Sequence, residues 1–123
     1  MTDSILVKVQ TQYLDAQSQP SQQRYVFAYT ITITNHSEQN AQLISRHWVI
    51  TDSAQQVQEV KGLGVVGKQP HLKPGESYTY TSGVVLATET GIMTGSYQMQ
   101  TDDGTQFEAQ IPEFALVPPH LLH

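Results

Sequence analysis

Cysteine is absent from this sequence. Disulfide staples, thiolate nucleophiles and cysteine-ligated zinc are thereby excluded, and any metal site would have to be assembled from histidine and carboxylates. Charge is sparse as well: 11 acidic against 6 basic side chains leave a formal net charge of -5. That balance argues against a nucleic-acid partner, which asks for a basic surface. No apolar run approaches the ~20 residues of a membrane-spanning helix. Met1-Thr-Asp-Ser4 has neither the basic start nor the apolar stretch of a signal peptide. These absences predict a cytoplasmic protein without a membrane partner. Helical periodicity is missing too, which removes βαβ units and the parallel sheets they build.

What is present is alternation. Tyr25, Phe27, Tyr29, Ile31 and Ile33 alternate with Val26, Ala28, Thr30, Thr32 and Thr34, the period-two pattern of a strand with one buried face. The same pattern predicts strands over 5–13, 24–35, 43–51, 77–86, 93–101 and 106–111, with shorter ones over 57–60 and 114–117. Turn-rich segments separate them, among them Lys73-Pro-Gly75 and the hairpin signal Asp102-Asp-Gly104. The 123 residues read as one all-β domain of seven or eight short strands, a sandwich or a barrel. Trp48, the single tryptophan, is the expected core anchor, sharing parity with Ile44 and Ile50. Arg46 falls on that parity too and is expected at a sheet rim, reaching water or Asp52. The carboxy-terminal Pro118-Pro-His-Leu-Leu-His123 is expected to be an extended tail.

The stretch Lys61-Gly-Leu-Gly-Val-Val-Gly-Lys68 carries Gly62-x-Gly64-x-x-Gly67, the spacing of a dinucleotide-binding turn. A Rossmann site also needs a helix opening at the last glycine. Pro70 and Pro74 interrupt any helix there, so the Rossmann reading is rejected. Two readings remain. In one, the glycines allow positive φ in an inter-strand loop. In the other, the loop holds a pyrophosphate-type anion without a helix, using Gly62, Gly64 and Gly67 with Lys61, Lys68, Lys73, His71 and Arg46. Three of the four lysines lie between residues 61 and 73, a span that contains no acid.

Other chemistry is thin. His47, Asp52 and His71 are the candidate metal ligands, but they would have to converge from a strand and a loop. His120 and His123 sit in the proline-led tail. Ser45 and His47 share a strand face, yet no Gly-x-Ser-x-Gly elbow is present. Tyr78, Tyr80, Tyr97 and Met99 read as packing residues, because no basic residues interleave with them. Asp102 and Asp103 suit a turn. No catalytic group and no cofactor site is assembled, so the chain is expected not to be an enzyme.

Several blocks carry a resemblance: Ser45-Arg-His-Trp-Val-Ile-Thr-Asp52; Val60 to Gly67 with Gln69-Pro70; Leu72-x-Pro-Gly75; Tyr78-x-Tyr-x-Ser-Gly83; and Gly91-x-Met-x-Gly-x-Tyr-x-Met99. With Phe114-x-Leu116 ahead of Pro118-Pro119, they resemble the ApaG family over nearly the whole chain. The resemblance implies an all-β, immunoglobulin-like or fibronectin type III-like sandwich of seven to eight antiparallel strands, and a small bacterial cytoplasmic protein associated with cobalt tolerance and magnesium efflux. Related domains in eukaryotic F-box and polymerase-interacting proteins imply a binding module with a protein partner. The family's glycine motif, a candidate pyrophosphate-binding element, falls on Gly62, Gly64 and Gly67.

Overall fold

Apolar residues at alternate positions pull eight strands together in the computed structural model, which describes residues 4–122. They are β1 (Ile5–Tyr13), β2 (Tyr25–Asn35), β3 (Ala41–Asp52), β4 (Val57–Leu63), β5 (His71–Leu72), β6 (Ser77–Leu86), β7 (Gly91–Thr101) and β8 (Gln106–Leu116). One antiparallel sheet has the order β1-β2-β6, the other β4-β3-β7-β8. The short β5 pairs with β3 at Ala41 and Gln42, beyond the stretch of β3 that β4 covers. The expected sandwich is therefore present. Phe27, Ile31 and Ile33 of β2 meet Leu43, Trp48, Met93, Tyr97 and Met99 of the opposite sheet in one buried core. Outward, Thr30, Thr32 and Thr34 pair their hydroxyls with Thr81, Thr79 and Ser77 of β6, which accounts for the polar half of the alternation.

Three expectations need correction. The segments 106–111 and 114–117 form a single strand, because the ladder with β7 absorbs Pro112 at a register shift between Met93 and Gly95. β8 is the last strand of its sheet, and an edge strand or a bulge is where a ladder tolerates proline. A second register shift, between Leu43 and Ser45, changes the parity of β3. Ala41 and Leu43 are buried before it and Trp48 and Ile50 after it, so Ile44 does not share the core face of Trp48. Lastly, the tail is not simply extended: Pro118 is fully buried, residues 119–121 form a 3-10 turn, and His120 contacts Glu89 at 2.9 Å. His123 lies outside the described residues.

The two sheets are tied through the core by a hydrogen bond between the Tyr80 and Tyr97 hydroxyls. Burial is the largest cause of the upward shift of both phenols, well above the ordinary tyrosine value of 10.0. Above about pH 10 the unfolded chain ionises while the folded chain resists, so the tyrosines' contribution to stability, complete below pH 10, is lost as pH rises. Tyr97→Phe should cost about 1–3 kcal/mol at neutral pH, because the Tyr80 hydroxyl is left buried and unpartnered. Replacing both by Phe should recover part of that loss and flatten the alkaline slope. Urea unfolding between pH 8 and 11 reads both effects; an unchanged slope in the double variant would refute the assignment.

Candidate functional site

The glycine-rich segment links β4 to β5 and rides over the bulge in β3. The Ile44 carbonyl there accepts from Gly64 N at 2.8 Å and from Gln69 Nε2 at 2.9 Å. Buried Val65 pins the loop into the core. Val65 and Lys68 exchange backbone hydrogen bonds of 2.7 and 2.9 Å around Val66 and Gly67, both with positive φ (47° and 76°). Those are the marks of a type I′ hairpin turn. Gly64 also has positive φ (64°), and a Cβ on it would lie 2.3 Å from the Lys68 carbonyl.

Gly62 serves a different purpose. A Cβ there would sit 2.8 Å from Arg46 Nη1, so the bare backbone makes room for the guanidinium. Arg46 Nη1 donates to the carbonyls of Leu63 at 3.1 Å and Gly64 at 2.9 Å. This corrects the expected pairing with Asp52, which stands six residues further along β3, roughly 20 Å at the strand rise. Asp52 Oδ1 instead accepts from the amides of Ala54 and Gln56 in the turn that follows.

Of the anion-site residues, the fold brings Arg46 and Gly62 together and sets Lys61 opposite His47 in the ladder. The amides of Gly64, Val65 and Lys68 donate within the chain. The Lys73 amide donates to Glu76 at 3.0 Å. His71 Nε2 lies 2.7 Å from Asp102 Oδ1, and Asn40 donates to the other carboxylate oxygen. The His71 contact, more than that of Asn40, holds the exposed Asp102 carboxyl below its usual range. The three metal candidates stay apart. His71 stands beside Gln42 and Asp52 lies ten residues on, roughly 30 Å along β3, while His47 Nε2 is 3.2 Å from Glu59 without hydrogen-bond alignment. Among the described residues no group of three or more histidines and carboxylates is placed to hold a metal ion.

Sequence reasoning missed three features. One is the conformation of Val66, which a hairpin reading of Val66-Gly67 between Val65 and Lys68 could have found. The second is the indole Nε1 of Trp48, buried without a hydrogen-bond partner. The third is Asn35, a fully buried polar hub that joins its own turn to the Leu72 carbonyl of β5.

A family model described as the ApaG domain matches residues 15–101. The chain belongs to the ApaG family. It is 61% identical to Protein ApaG of Thiobacillus denitrificans, covering 97% of this chain and 94% of that protein. It is 60% identical to Protein ApaG of Dechloromonas aromatica, with the same coverage of 97% and 94%. A crystal structure from Bordetella pertussis superposes with a TM-score of 0.91 at 54% identity, covering 94% of each chain. A structure from Archaeoglobus fulgidus, at 10% identity and TM-score 0.51 over 89% of this chain and 95% of that one, shares the fold alone. No helix among the described residues is long and apolar enough to cross a membrane.

Proposed function

We infer that this ApaG-family chain is a non-catalytic module that binds a protein partner, and that the tip of its glycine-rich hairpin is part of the contact surface. Val66 carries the inference. A β-branched residue in the left-handed region costs about 1–2 kcal/mol, and type I′ turns favour Asn or Gly at its position. Val66 is 61% exposed, and Leu63 at the end of β4 is 75% exposed, so the folded monomer gains little from packing either. A strained, solvent-facing apolar pair is accounted for by a surface that covers it. On this reading the family's association with cobalt tolerance and magnesium efflux acts through the partner rather than through an ion bound by His47, Asp52 and His71.

Val66→Asn separates stability from binding. The variant should gain about 1 kcal/mol in urea unfolding through relief of the turn. It should also recover less of whichever protein the unaltered chain captures reproducibly from a bacterial lysate. A variant that is stabilised but captures the same protein undiminished would remove the hairpin tip from the interface. Failure of the unaltered, folded chain to capture any protein reproducibly would count against the module itself.

A further inference from the structure

Opposite sides of the sandwich are unequal. Sheet β1-β2-β6 has three strands and the facing sheet has four along β4-β3-β7-β8, so β4 has no strand above it. Every residue of β4 except Gly62 is exposed. The outer edge of β6 is likewise unpaired: among the described residues its ladder partner is β2 alone. Between the two free edges run adjoining cavities of about 340 and 450 Å³, which share Ile50, Gln58 and Val85.

Two polar groups in this gap lack their natural partners. Trp48 is 2% exposed, lines the smaller cavity, and leaves Nε1 without an acceptor. The opposite edge of the indole is turned toward β7, where a Cβ on Gly95 would meet Cε3 at 2.7 Å and Cζ3 at 3.2 Å. The N–H edge is therefore turned away from β7. Arg46 lines the same cavity. Its guanidinium has no carboxylate within 4.0 Å among the described residues, only the two loop carbonyls. Half-buried charges ordinarily have a counter-charge. Val57, Val60 and Val85 frame the opening and are 63%, 37% and 43% exposed.

We propose that the gap between β4 and β6, floored by Trp48, is a docking groove for an extended peptide that adds as a strand to β6. The peptide carries apolar side chains at alternate positions and a carboxylate that pairs with Arg46. Main-chain pairing to an open edge supplies the register. Alternate side chains then point inward onto Trp48, Ile50 and Val60, as the missing fourth strand of the small sheet would. A backbone or side-chain oxygen accepts from the indole N–H, and the carboxylate neutralises the guanidinium. The proposal rests on the reading of the chain as a protein-binding module, but on a surface separate from Val66.

The test is selection of a random dodecapeptide phage library on the full chain, with the strongest peptide then synthesised and titrated in nitrogen–proton correlation spectra. Enriched sequences should alternate apolar and polar residues and contain Asp or Glu. The titration should move the Trp48 indole N–H and amides of residues 82–86. Val60→Lys, an exposed position that leaves the core intact, should weaken binding at least tenfold, as should Arg46→Gln; Val66→Asn should not change it. Four results would overturn the groove: no enrichment over the Val60→Lys chain; peptides that bind both groove variants undiminished; shifts confined to another face; or the same amides shifting with protein concentration alone, which would make a second copy the occupant. Because Val66→Asn leaves this assay untouched, its outcome is independent of the lysate capture.

Discussion

Asn35→Ala should unfold at a markedly lower urea concentration, with a loss of about 3 kcal/mol. The side chain is fully buried at the end of β2. Its Nδ2 donates to the carbonyls of Gln39 at 2.8 Å and Leu72 at 3.0 Å, and Oδ1 accepts from the amide of Ser37 at 2.9 Å and its hydroxyl at 2.7 Å. The backbone of Asn35 also binds Glu76 and Gly75, so two turns and β5 converge on this residue. Truncation takes their side-chain partner from the buried Leu72 carbonyl and the Ser37 amide, and leaves the Gln39 carbonyl with the Ser37 hydroxyl alone. Asn35→Asp should be at least as damaging at neutral pH, since a carboxylate would face the same two carbonyls. Lowering the pH should restore part of the Asp variant's stability relative to the unaltered chain, because a protonated carboxyl regains one donor, while the Ala variant should show no such recovery. Equal pH profiles for the two variants would refute the donor role.

A second large loss is expected from Gly95→Ala, again about 3 kcal/mol, at the upper end of what overpacking usually costs. Gly95 sits opposite Trp48 at the centre of β7. A Cβ there would lie 2.5 Å from the His47 carbonyl and 2.7 Å from the indole. A side chain could swing aside, but the carbonyl belongs to the neighbouring ladder, so β3 and β7 would have to separate. Trp48, as the single tryptophan, reports that separation by its fluorescence. Trimming the indole with Trp48→Leu in the Gly95→Ala background should not rescue stability, because the backbone contact persists. Rescue would show that the ring alone makes this position glycine.

Alternation made most of the fold legible. Phe27, Tyr29, Ile31 and Ile33 are all buried as their spacing demands, and Trp48 anchors the core. The site was legible only in part. Arg46 and the glycines do meet, yet residue type suggested Asp52 as the arginine's partner where strand rise makes the distance prohibitive. The role of Asn35 was hidden because an asparagine before a polar turn looks like turn chemistry; only the contact with Leu72, 37 residues on, distinguishes it. Proximity in sequence groups His71 with the loop lysines, while folding sends it to Asp102 in the β7–β8 hairpin, 31 residues away. Bulges were invisible for a related reason. A bulge is a property of two strands, and one strand's sequence does not display its partner's register.

The bulge at Ile44 behaves like a frameshift written in space. Upstream of it one set of β3 side chains faces inward, downstream the complementary set does, and a single uncounted residue lets both halves be correct. Deleting Ile44 would set Leu43 directly before Ser45, as Met99 already lies next to Gln98, and leave Ala41, Leu43, Trp48 and Ile50 on one face of a regular strand. What would be lost is the carbonyl that holds Gly64 and Gln69. A gap at this position should therefore spare the core and unmoor the glycine-rich loop, so the extra residue serves the loop rather than the strand.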